Sequence, residues 1–236
     1  SDEYGQRIID DLQRAGVDTS IHMQQGGRSH VAFALVEPHN GRRTIWWHND
    51  PDVFGAVSLT REQVVSARAL LIDTHLPHVT HTAAQWMHEA GKPVIIDAER
   101  FKPHTVELLP FCSGIVVSER FGRESTGEED PALAAQALFE RYHHNNPIVV
   151  VTAGERGSWC VNGEGAFHTP AFSVEVQDTT GAGDVFHGGF LYGLLHEWPL
   201  RKTVRFASAV AACKCRGIGG RGALPTLDDV QQLMKL

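Results

Sequence analysis

Two aspartates six positions apart, Asp178 and Asp184, bracket a run of small and hydroxylated residues, Asp178-Thr179-Thr180-Gly181-Ala182-Gly183-Asp184. An alternating stretch, Phe172 to Gln177, precedes the run and reads as a strand; an apolar stretch, Val185 to Leu195, follows and reads as a helix. Glycines at 181 and 183 let the backbone turn tightly and approach a ligand closely. The first N–H groups of the following helix have no partner inside it. Strand, glycine turn and helix N-terminus together make an anion cradle, with the N–H groups of Gly181, Ala182 and Gly183 as donors. An acid inside such a cradle would repel a bound phosphate, so Asp184 makes chemical sense when it faces a neutral reactant about to lose a proton. That chemistry is phosphoryl transfer to a hydroxyl, with Asp184 as base. Asp also caps helices, but a cap requires one Asp, not two with Thr-Thr-Gly-Ala-Gly between them.

The elements that must position this turn follow an α/β grammar. Apolar strands are expected at Ala69 to Asp73, Pro93 to Asp97, Gly114 to Ser118 and Ile148 to Thr152, with helices between them at 81–91, 103–109 and 131–143. Strands apolar on both faces and alternating with helices predict a doubly wound, mostly parallel sheet flanked by helices, with ligands at the carboxyl ends of the strands. Each strand ends on a polar group: Asp73-Thr74-His75, Asp97, Ser118-Glu119, Thr152. Short strands around 158–161 and 166–169 and helices at 184–196, 200–216 and 226–235 complete this part. Upstream, 4–16 reads as an amphipathic helix, and 30–36 with 44–47 as a β-hairpin turning at Pro38-His39-Asn40-Gly41. Thr60-Arg61-Glu62-Gln63 is a capping box.

The run Asp178 to Gly189 resembles the C-terminal signature of the ribokinase-like (PfkB) carbohydrate kinases, Asp-Thr-x-Gly-Ala-Gly-Asp followed by an aromatic and small-residue helix. The resemblance extends over essentially the whole chain. It implies a ribokinase-like fold with a small β lid, to which residues 17 to 50 contribute the hairpin, and ATP-dependent phosphorylation of a sugar hydroxyl. By the same resemblance Thr152, Gly154 and Gly157 line the nucleotide site, and Gly217 and Gly219 belong to a loop closing over the adenine. Asp178 and Thr180 become partners for a monovalent cation such as K+. ATP and Mg2+ are the implied cofactors. The family's Asn-x-x-Glu, whose Glu helps order magnesium, is replaced by Ser118-Glu119-Arg120-Phe121, leaving Glu119 as the candidate ligand. Asp97-Ala98-Glu99-Arg100 matches the family's Asp-x-Asn-x-Arg imperfectly and makes Asp97 and Arg100 substrate candidates beside His75. The 174–182 and 203–225 regions look most like bacterial ketose-type kinases. Ser1 to Gly5 is similar to a segment well inside these kinases, so a single kinase domain over 1–236 lacking its N-terminal portion is expected. A nucleoside kinase would share every C-terminal feature and differ in the missing N-terminal pocket, and a non-catalytic nucleotide-binding relative is favoured by the altered Ser118 and Phe121 and the missing segment.

Other readings narrow the field. A net charge of −7 with pI near 6.0 and no basic stripe speaks against nucleic acid. No apolar run spans a bilayer and no signal peptide is seen, so a cytoplasmic protein acting on a small molecule is expected. Gly217-Ile218-Gly219-Gly220-Arg221-Gly222 formally contains G-x-G-x-x-G, but it follows a helix and leads into Pro225, the wrong context for a dinucleotide site. His75, His78 and His81 are interrupted by Pro77 and lack a completing Cys or carboxylate, which argues against a metal shell. The four cysteines follow no zinc or redox spacing and read as buried thiols. A homodimer through the exposed face of the hairpin is a further expectation.

Overall fold

The computed structural model describes residues 2–19, 26–36, 43–48, 50 and 57–235, which divide into two units, Ser1–Leu59 and Thr60–Leu236. In the first unit, helix α1 (Glu3–Arg14) is capped by Asp2, whose carboxylate accepts from the Gly5 N–H. Ser29 N–H and Oγ also donate to that carboxylate, and the three bonds hold its pKa at about 2, the Ser29 hydroxyl contributing most. Strands β1 (Val31–Val36) and β2 (Arg43–His48) pair antiparallel with Phe33 opposite Trp46. The turn expected at 38–41 lies outside the described residues.

The second unit opens with α2 (Arg61–Ser66), whose Thr60–Gln63 capping box forms as expected. Strand β3 (Leu70–Ile72) is followed by α3 (Pro77–Glu89), β4 (Val94–Ala98), α4 (Thr105–Leu108) and β5 (Gly114–Ser118). Then come α5 (Glu119–Thr126), α6 (Pro131–Tyr142), β6 (Ile148–Thr152), β7 (Ser158–Asn162) and β8 (Gly165–Thr169). The chain ends in α7 (Ala182–Leu195), α8 (Leu200–Lys214) and α9 (Leu227–Lys235). The strands form one sheet in chain order; β3 to β6 are parallel, and β7 and β8 add antiparallel at the edge.

Both sheet faces are buried, which is why the strands are apolar without alternation. Val94, Ile96, Ile115, Val117, Val149 and Val151 pack with residues of α3, α5 and α6 on one face. Ile95, Val116 and Val150 pack under Phe186 and Phe190 of α7 and Val204 and Ala207 of α8 on the other. All four cysteines are buried free thiols, as expected. Among the described residues, no helix is long and apolar enough to cross a membrane.

Three expectations change. Helix α3 begins at Pro77 rather than at 81, because a proline costs nothing in the first turn, where its missing N–H would be unpartnered anyway. Residues 172–177 are not a strand: the Gln177 N–H bonds to the Cys215 carbonyl at the end of α8 instead of to a neighbouring strand (2.8 Å). Helix α5 was not foreseen. Its polar sequence hides it, yet the Ser118 hydroxyl accepts from the Phe121 N–H (3.1 Å) and Gly127, at φ 83°, ends it.

Candidate active site

The central turn is built by its first aspartate. Asp178 Oδ1 accepts from the Thr180 N–H (2.8 Å) and Oδ2 from the Gly219 N–H (2.7 Å), so one carboxylate shapes the turn and ties it to the loop after α8. These bonds, the Thr180 N–H foremost, hold the Asp178 pKa at about 2. Gly181 is the N-cap of α7 and lies in the left-handed region at φ 80°, with the Gly220 carbonyl packed against it where a Cβ would come within 2.6 Å. Only glycine fits both demands. The Ala182 N–H closes the turn on the Thr179 carbonyl (3.1 Å), while the Gly181 and Gly183 N–H groups have no acceptor among the described residues. A Cβ on Gly183 would meet nothing within 4 Å. Asp184 stands exposed in the first turn of α7.

Beside the turn opens a cavity of about 710 Å³. Thr152, Gly154 and Gly157, at and beyond the end of β6, line it together with Ala182 and Gly183. The extended segment at Phe172, Val174 and Val176 supplies an apolar wall. Three of the expected nucleotide-site residues therefore share one space with two residues of the expected cradle, Ala182 and Gly183; against expectation the Ala182 N–H is taken by Thr179 and is not a free donor. Gly217 and Gly219 do not line it. Gly219 is engaged with Asp178, and the Gly217 carbonyl accepts from the Lys214 ammonium (3.3 Å).

A second grouping lies at the ends of β3 and β4. Asp97 is partly buried, and burial raises its pKa; the negative charges of Asp184, Asp73 and Glu99 act in the same direction and His187 opposes them. Asp97 and Asp184, far apart in sequence, are thus electrostatic neighbours. His75 is exposed and its Nδ1 lies 3.1 Å from Asp73 Oδ2. Arg100 is exposed and its charge acts on Glu124, whose carboxyl is held low chiefly by Arg120. Glu119 forms an ion pair with Arg156, inside the Gly154 to Gly157 segment, which ties it to the glycine segment after β6. Phe121, at the place of the family's magnesium-ordering Glu, is fully buried, packs on Phe101 and has no part in the site. His81 and His88 pack edge-on against Phe111.

Two residues that sequence reasoning passed over belong here. His187, buried one turn after Asp184, bonds through its ring to the Gly183 and Val116 carbonyls. Lys214, fully buried at the end of α8, reaches the Asp178 carbonyl (3.1 Å). The only signal for either was a polar residue inside an apolar helical run.

Residues 1–227 match the family model described as pfkB family carbohydrate kinase, and the chain belongs to that family. A ribokinase of Bacillus subtilis is 27% identical, over 99% of this chain and 78% of its own length. The crystal structure of a ribokinase candidate from Agrobacterium tumefaciens superposes with a TM-score of 0.90 at 30% identity, covering 100% of this chain and 78% of that one. A nucleoside kinase of Burkholderia thailandensis, solved with inosine, shares the fold at a TM-score of 0.74 and 17% identity, over 98% of this chain and 76% of its own. The chain is an ATP-dependent sugar kinase of the ribokinase-like fold.

Proposed function

We propose that the 710 Å³ cavity takes ATP and that Asp184 accepts the proton of a sugar hydroxyl as that oxygen attacks the γ-phosphorus. The bond from the γ-phosphorus to the β–γ bridging oxygen breaks, ADP leaves, and the transferred oxygens rest against the N–H groups of Gly181 and Gly183, with Ala182 between them. Because the transition state of phosphoryl transfer is loose, positioning and charge stabilisation carry the rate, and a late proton transfer needs only a modest base. The observation that supports this most is the cavity itself, lined at once by the glycine segment after β6 and by the N-terminus of α7.

Mg2+ neutralises phosphate charge when it is bound. Glu119 is the carboxylate that would hold such a hard cation, which keeps several of its waters, in exchange for its ion pair with Arg156. The sugar is placed at the ends of β3 and β4, where Asp97, His75 and Arg100 stand at or just beyond the strand ends. Ribokinase relatives favour a pentose; a ketose is the second choice on the strength of the 174–182 and 203–225 segments. We further infer a homodimer through the hairpin, because Val31, Phe33, Leu35 and Trp46 are all exposed on one of its faces. Sedimentation of the full chain against a Phe33→Ser/Trp46→Ser variant tests it; a monomer at both compositions refutes it.

The deciding experiment is ADP release from Mg·ATP across ribose, ketoses, aldoses, sugar acids and nucleosides, run beside an N-terminally extended chain carrying the upstream segment of its relatives. Release with a sugar in either form supports the reading and identifies the substrate. A nucleoside as best acceptor overturns the sugar assignment. ATP binding with no acceptor-dependent release in either form overturns catalysis.

A further inference from the structure

Lys214 is the only Lys, Arg, Asp or Glu among the described residues that is fully removed from solvent, with 0% of its surface exposed. A buried ammonium is costly unless oxygens replace its water. Those oxygens come from two separate segments: Nζ donates to the Asp178 carbonyl at 3.1 Å and to the Gly217 carbonyl at 3.3 Å. The first opens the central turn and the second opens the loop after α8. The Asp178 carboxylate is close enough for the two charges to interact, and its two oxygens accept from the Thr180 and Gly219 N–H groups, one each.

Capping of its own helix does not explain this placement. A lysine in the last helical turn ordinarily serves the last carbonyls of that helix, whereas Lys214 reaches a carbonyl 36 residues upstream. Carbonyl oxygens gathered around a positive charge beside a carboxylate are the surroundings that a monovalent cation requires. Here they surround a side chain. An added K+ would have to compete with the ammonium for the Asp178 carbonyl and share a carboxylate that already accepts from two N–H donors.

We infer that the Lys214 ammonium is a built-in monovalent cation that clamps the turn at 178–183 to the loop at 217–222, so that this chain works without K+. The inference rests on reading that turn as the phosphate cradle, and its test separates the two. The full chain is placed at fixed ionic strength in potassium, sodium or tetramethylammonium chloride, and its thermal midpoint and affinity for Mg·ATP are measured by scanning calorimetry and titration calorimetry. The expected result is a midpoint and an ATP Kd that do not change among the three salts. The Lys214→Met variant is expected to bind ATP at least tenfold more weakly, with part of the loss restored by potassium or methylammonium and none by tetramethylammonium.

A parent chain whose midpoint or ATP affinity rises with potassium over tetramethylammonium overturns the inference, as does a Lys214→Met variant that binds ATP like the parent in every salt. The parent titration decides the matter even where Lys214→Met does not fold. A parent that binds no ATP in any salt refutes the cradle reading instead, while its thermal midpoint still reports whether an ion is taken up.

Discussion

His187 and Asp97, from α7 and the end of β4, meet with Nδ1 3.4 Å from Oδ2, and the same imidazole spans two further acceptors. Its Nδ1 faces the Gly183 carbonyl at 2.8 Å and its Nε2 the Val116 carbonyl at 2.9 Å. One ring thus joins the helix turn that carries Asp184 to the middle of β5 and to a second carboxylate. The ring faces both carbonyls, and Asp97 stands beside the same Nδ1 that faces Gly183. His187 is a positioning residue: it touches the backbone of the cradle and has no place among the reacting atoms.

Replacing His187 with Ala removes the ring's bonds to the Gly183 and Val116 carbonyls and leaves the partly buried Asp97 carboxyl without its neighbour, at a cost of about 1–3 kcal/mol for that group. Asp184 loses its fixed register against the sheet, and misplacement of this kind lowers kcat by about 10- to 100-fold. ATP affinity should change by less than about threefold, since the glycine segment after β6 is untouched. The check is steady-state kinetics beside calorimetric ATP titration. Equal loss in ATP affinity and kcat would mean that the variant has lost the cavity rather than the alignment of Asp184.

The relationship between Asp97 and pH follows from burial. In the folded chain Asp97 keeps its proton to a pH above its ordinary 3.8, because burial first and the charges of Asp184, Asp73 and Glu99 next disfavour the anion more than His187 favours it. Its contribution to stability is complete below about pH 3.8 and is lost as pH climbs through the raised folded value. Asp97→Asn removes that loss. The variant should gain stability relative to the parent as pH rises from about 4 to 7, while turnover falls if Asp97 holds the substrate. Denaturant titrations across that range read the slope directly; a variant that loses ground with rising pH would show that the pair with His187 outweighs burial.

Much of this site was legible because the residues that make its geometry also make its chemistry. Asp178, Gly181 and Gly183 announce a turn and an anion cradle at once, and apolar runs such as Val149 to Val151 announce strands buried on both faces. What stayed hidden depends on contacts distant in sequence. His187 is one of fourteen histidines, and nothing local shows that Val116 lies against it. Lys214 reads as an ordinary positive charge at a helix end until Asp178 is brought to it. The alternation at 172–177 has the period of a strand but finds no neighbouring strand, so its residues line the cavity instead. Ser118 looked like a lost metal motif and is the cap of an unforeseen helix.

Asp184 carries the sharpest chemical expectation. Asp184→Asn keeps size and shape in the exposed first turn of α7 and removes only the proton acceptor. Turnover should drop by about 10²- to 10⁴-fold, the range for loss of a positioned general base. ATP binding should persist, and removal of one negative charge near Asp97 should ease ionisation of that residue. Single-turnover rates with saturating sugar and ATP measure the first effect without interference from product release. Near-full turnover in Asp184→Asn would remove it from the role of base.

The two glycines of the turn separate fold from chemistry. Gly181→Ala places a Cβ at φ 80° and 2.6 Å from the Gly220 carbonyl, so the left-handed conformation costs about 1–2 kcal/mol before the clash is counted. That variant should unfold earlier and bind ATP poorly. Gly183→Ala has the opposite sign for stability: the position is helical, nothing lies within 4 Å of the added Cβ, and alanine in a helix is favoured over glycine by roughly 0.5–1 kcal/mol. The empty space around Gly183 is part of the cavity. Its methyl group would then stand where phosphate oxygens must approach the backbone, so Gly183→Ala should melt at or above the parent temperature while losing ATP affinity and turnover. Thermal melts paired with ATP titrations test both variants together. A Gly183→Ala chain that is as stable as the parent and equally active would show that the phosphate does not approach the backbone there.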